Sequence, residues 1–96
     1  MKPSVALQSY KDIIRQVAER NHACNPRVFG SVLHGTDRDN SDLDLLVDTL
    51  PGATLFDLGA IQMELEEMLG VAVDVLTPGD LPIKYRERVL REAVSI

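Results

Sequence analysis

A small α/β domain, with a mixed sheet of about three strands flanked by helices, is the fold class the sequence predicts. Three observations point to it. Short runs rich in aliphatic and β-branched residues (Arg27–Phe29, Asp42–Val47 and Val71–Leu76) alternate with longer segments of helical period. The longest helical segment carries its own boundary signals, Thr54 with Asp57 three positions on and Gly70 at its end. Hydrophobic content of 45% with charged content of 26% is ordinary for a globular domain, and 96 residues suffice for one modest core without disulfide staples. The expectation is a single domain over residues 1–96.

In chain order, Met1–Pro3 reads as a frayed terminus and Ser4–Asn21 as one amphipathic helix. Tyr10, Ile13, Ile14 and Val17 recur on one face of it. Asn21–Pro26 breaks the helix, because a proline pushes the residue before it out of helical geometry. Arg27–Phe29 is the first strand, ending at Gly30-Ser31, and Val32–Thr36 is a short helical turn stopped by Gly35. Asp37–Ser41 is a polar connector into the second strand, Asp42–Val47. After the loop Leu50-Pro51-Gly52, Leu58, Ile61, Leu65, Met68 and Leu69 define a second amphipathic helix, with Met63 and Met68 as core or flank. Val71–Leu76 is the third strand, and Thr77-Pro78 opens the last helical region. Its helix, Lys84–Val94, turns Tyr85, Val89, Leu90 and Ala93 inward.

Composition excludes several classes of function. The net charge is −5, and five of the fifteen acids lie between Asp37 and Asp48. Direct binding to nucleic acid needs clustered cations and is not expected. Lys84, Arg86, Arg88 and Arg91 do gather near the C-terminus, but Glu87 and Glu92 interleave them, as on a solvated helix face. No apolar run approaches the ~20 residues of a membrane span, and no signal-peptide core is visible, so no membrane partner is expected. Cys24 is the single cysteine, which fits a reducing, cytoplasmic setting.

The chemistry concentrates in one stretch. Residues i and i+2 of a strand share a face, so Asp42 and Asp44 project side by side. Two carboxylates that close repel one another unless a cation lies between them, and magnesium, a hard ion, prefers such oxygen ligands. Upstream, Gly30 permits close backbone approach and Ser31 adds a hydroxyl for a phosphate oxygen. A third acid, Asp74, interrupts an otherwise apolar strand, and packed beside the second strand it would complete a three-carboxylate metal site. The competing readings are an Asp-rich turn capping backbone N–H groups and, for Asp74, a solvent-facing strand position.

Gly30-Ser31, ten intervening residues and Asp42-Leu43-Asp44 match the GS-x10-DxD signature, so the chain resembles the nucleotidyltransferase superfamily that includes DNA polymerase beta. More narrowly, the order of helix, GS strand, DxD strand, helix, Val73-Asp74-Val75 strand and terminal helix resembles minimal nucleotidyltransferase domains found beside HEPN-domain toxins. His34 stands where many relatives carry arginine. The resemblance implies the polymerase beta-like fold, with Asp42, Asp44 and Asp74 as catalytic magnesium ligands for two ions and Gly30 and Ser31 holding the triphosphate. It further implies an antitoxin that moves AMP from ATP onto a tyrosine of a partner HEPN ribonuclease, in a hetero-oligomer. Ninety-six residues leave little room for an acceptor pocket, which favours a macromolecular acceptor. The alternative is a binding module that neutralises its partner by covering it, with a vestigial nucleotide site.

Overall fold

The computed structural model describes residues 1–96. The chain runs α1 (Pro3–Ser9), α2 (Lys11–Arg20), β1 (Ala23–Phe29), α3 (Gly30–His34), β2 (Leu43–Thr49), α4 (Leu55–Leu69), β3 (Val73–Leu76), α5 (Ile83–Glu92) and β4 (Val94–Ser95). A single 3-10 turn, Pro78–Asp80, lies between β3 and α5.

Alternation along β2 divides the molecule into two faces. Leu43, Leu45 and Val47 point one way and are buried against Ile14 and Val17 of α2 and Ile61, Leu65 and Leu69 of α4. Asp44, Leu46 and Asp48 point the other way. The sheet order is β3-β2-β1-β4, with β2 and β3 parallel and the other pairs antiparallel. Helix α4 makes the crossover that a parallel pair requires. It starts where Thr54 N donates to Asp57 Oδ2 at 2.9 Å and ends at Gly70, whose φ of 71° is left-handed.

Several expectations need correcting. The sheet has four strands, not three, because Val94–Ser95 adds to β1. Two residues are too few to leave an alternation in the sequence. Strand β1 begins at Ala23, since a bulge between Cys24 and Arg27 absorbs Pro26, which has no N–H to give a ladder. The N-terminal helix is two helices, broken at Tyr10 (φ −127°, ψ 27°), so that α1 packs on β2 and α2 on β1 and α4. Pro3 is not frayed. It is buried at the first turn of α1, and Ser4 N donates to Asp37 Oδ2 at 2.9 Å. Met63 lies 72% exposed, outside the core.

Helix α5 departs furthest from the sequence reading. None of its residues is fully buried, and Tyr85 and Leu90 face solvent. Its inner face is Arg86, Val89 and Ala93, spaced i, i+3, i+7. Arg86 Nη2 donates to the carbonyls of Gly79 (3.1 Å) and Leu81 (2.9 Å), which fixes the rotation of the helix. The guanidinium therefore takes the place that a run of apolar residues would have held.

Candidate active site

The site lies on the face of the sheet opposite α2 and α4. In the parallel ladder Asp44 pairs with Asp74, and across the antiparallel ladder Phe29 pairs with Asp44. Asp74, Asp44 and Phe29 thus form a row on adjacent strands. Asp42 lies one residue before β2 and is exposed, delivered by a turn in which Arg38 N donates to Ser41 Oγ at 2.8 Å and Ser41 N donates to Arg38 O at 3.0 Å. The Asp44 carboxyl is pushed up to about 6 by burial first, then by the charges of Asp74 and Asp42. Asp44 therefore lies within electrostatic reach of both other acids. No three His, Cys, Asp or Glu side chains are gathered closely enough in this structure to hold a metal ion unaided.

Gly30 ends β1 and opens α3 with φ 74°, a left-handed value that disfavours any other residue. A Cβ built there would run into the Asp44 carboxylate. Glycine is thus required twice over, by backbone conformation and by the proximity of Asp44. Ser31 follows in the first turn of α3, its carbonyl accepting from Thr36 N at 2.9 Å. At the other end of α3, His34 Nε2 lies 3.3 Å from Glu92 Oε2 of α5.

Three residues at or behind this face carry roles that the sequence reading missed. Asp37, 9% exposed, caps α1 through Ser4 and so ties down the connector that delivers Asp42; the Ser4 backbone bond holds its carboxyl below the usual range. Asp48, on the same side of β2 as Asp44, is taken by Arg27 Nη2 at 2.7 Å and Asn25 Nδ2 at 3.0 Å, which secures the bulge of β1. Glu66 Oε2 accepts from Val73 N at 3.0 Å, one residue before Asp74. Strand parity alone could have placed Asp48 beside Asp44. The partners of all three depend on register and packing. The chain's one pocket lies elsewhere, at the α1–α2 break around Tyr10 and Arg15; in the carboxylate row Asp44 and Asp74 are half-buried, and Asp42 beside them is exposed.

Comparison with known proteins places this geometry. The family described as nucleotidyltransferase domain matches residues 11–96. A Methanocaldococcus jannaschii chain named "Putative protein adenylyltransferase" is 41% identical over 69 residues, covering 72% of this chain and 74% of that one. Thermococcus cleftensis protein adenylyltransferase MntA is 32% identical over 82 residues, 85% of this chain and 83% of its own. A solved structure described as a "putative minimal nucleotidyltransferase" superposes with a TM-score of 0.86 and 40% identity, covering 100% of this chain and 97% of that one. A toxin-antitoxin crystal structure with AMP-PNP shares the fold, with a TM-score of 0.74 and 20% identity, over 88% of this chain and 70% of that one. Sequence and fold agree over nearly the whole length, and the chain therefore belongs to the nucleotidyltransferase family, enzymes that transfer a nucleotide.

Proposed function

We propose that the chain is an antitoxin that transfers AMP from ATP to a tyrosine hydroxyl of a partner HEPN-type ribonuclease toxin, with magnesium as cofactor. The carrying observation is the row of Asp44 and Asp74 in register beside a glycine that meets the Asp44 carboxylate. Two relatives above 30% identity bear the name protein adenylyltransferase, which supports a protein acceptor. The acids lie apart from the chain's pocket, with Asp42 exposed, which suits an acceptor that brings its own shape.

The residues fit magnesium by their chemistry. Asp42, Asp44 and Asp74 are an oxygen-only set, and Asp44, half-buried and beside the charges of Asp74 and Asp42, is a carboxylate whose charged form a bound cation would favour. Magnesium, when bound, supplies charge neutralisation for the triphosphate. Gly30 leaves room for the phosphates near the start of α3, and Ser31 offers its hydroxyl to a phosphate oxygen. In the transfer, the tyrosine oxygen bonds to the α-phosphorus, the bond to the β-phosphate oxygen breaks and pyrophosphate leaves. The phenolic proton passes to Asp74 as general base.

Mixing the chain, the toxin and α-labelled ATP with magnesium tests this reading. The toxin should gain the mass of AMP and lose its ribonuclease activity. Asp42→Asn with Asp44→Asn should lower transfer by several orders of magnitude while docking survives. A toxin of unchanged mass, silenced equally by parent and double variant, would replace this reading with that of a covering module.

A further inference from the structure

The Asp74 strand is held differently from the Asp44 strand. Strand β2 has a neighbour on each side, whereas β3 is four residues long and lies at the edge of the sheet. In a parallel ladder alternate residues turn their backbone groups toward the neighbouring strand. Leu43 N donates to Ala72 O at 2.8 Å, so the ladder grips the chain at Ala72 while the N–H of Val73 points to the open edge. Unpaired, that N–H would leave the first residue of β3 free to fray. Glu66 of α4 takes it, Oε2 accepting at 3.0 Å in a half-buried bond. The same residue's backbone carbonyl accepts from Gly70 N at 3.0 Å, where the chain reverses out of the helix. Glu66 therefore spans the α4–β3 junction through both its backbone and its side chain, one residue ahead of Asp74.

We infer that Glu66 is a positioning residue: through its bond to Val73 N it fixes the rotation and height of β3 and thereby holds Asp74 in register with Asp44. This rests on the reading of Asp74 as a magnesium ligand given above. A carboxylate is not needed for this task, because an amide oxygen accepts the same bond. The effect should appear only when Asp74 is used, that is, in the magnesium-dependent part of nucleotide binding.

Two measurements on the full chain test it, comparing parent, Glu66→Ala and Glu66→Gln. Amide hydrogen exchange without ligand should show Val73 protected in the parent and in Glu66→Gln, and unprotected in Glu66→Ala. Calorimetric titration with the α,β-methylene analogue of ATP should show Glu66→Ala weakened by roughly 10-fold or more in magnesium, the low end of the about 10–100-fold lost when a partner bonded directly to a metal ligand is removed, because Glu66 acts through Val73. Glu66→Gln should bind within a few-fold of the parent, and in EDTA all three should bind alike. Unchanged Val73 protection in Glu66→Ala would overturn the proposal, as would a Glu66→Ala deficit that persists in EDTA or a Glu66→Gln as weak as Glu66→Ala. If the parent itself binds the analogue equally in magnesium and EDTA, the magnesium reading of Asp74 fails and the proposal falls with it. If the parent depends on magnesium and Glu66→Ala keeps that dependence, the proposal alone fails.

Discussion

The two sides of β2 differ in what they ask of their residues. On the helix side Leu43 and Leu45 are 0% exposed and meet α2 and α4 in one continuous apolar cluster. On the other side, within the same seven residues, Asp44 stands beside Asp74 with its proton affinity raised. The first side gains free energy from burial. The second gives some up, because like charges are brought together in a half-buried place. A strand with one face for stability and one for charge teaches where substitutions should be tolerated and where they should help.

The largest expected effect breaks the stable side. Leu65→Ala removes a fully buried side chain and should cost about 2–5 kcal/mol in denaturant unfolding, with any surviving fold still carrying the acids in register. Next comes Gly30→Val. It forces a β-branched residue into a left-handed backbone against the Asp44 carboxylate, at about 1–2 kcal/mol for the backbone alone, and should abolish triphosphate binding. Ser31→Ala, by contrast, should weaken binding by only about 0.5–1.5 kcal/mol. Calorimetry with an ATP analogue separates the two, and a Gly30→Val variant that binds like the parent would remove the Gly-Ser turn from the site.

A smaller effect sharpens the contrast through pH. Asp44 titrates at about 6 in the folded chain against 3.8 as a free side chain. The folded state thus holds the proton more tightly, and stability falls as pH rises through that window. The contribution is fully present below about pH 4 and lost above about pH 6. With solvent screening of a half-exposed group the loss is about 1 kcal/mol. Asp37 and Asp57 have the opposite sign: the Ser4 and Thr54 backbone N–H groups hold their carboxyls low, so their support is lost only in acid below pH 3.8. In EDTA, Asp44→Asn should therefore be more stable than the parent at pH 7 and should lack the decline between pH 4 and 6. A parallel pair of pH profiles would contradict this account of Asp44.

How much of this was legible in the sequence depended on how local each signal is. Alternation in β2, the Thr54 and Asp57 pairing and the left-handed stops at Gly35 and Gly70 are short-range features, and each is found where it was expected. The juxtaposition of Asp44 and Asp74 followed from strand parity once β2 and β3 were taken as neighbours. What stayed hidden depends on contacts between distant positions. Asp37 reaching Ser4, Asp48 reaching Arg27 and the pairing of Val94 with Val28 have no signature within any window of the chain. Helix α5 was misread because an inward arginine broke the apolar period by which a buried face is recognised.

The central claim, that the charged side of β2 is built to take a magnesium-bound nucleotide, is tested most directly by thermal unfolding in magnesium plus ATP and in EDTA. A ligand that binds only the folded chain should stabilise the parent by about 1.4 kcal/mol at ten times its dissociation constant. Asp44→Asn should show little of that gain, although it starts from the more stable ligand-free state. Superimposed melting curves for the parent in the two conditions would contradict the account.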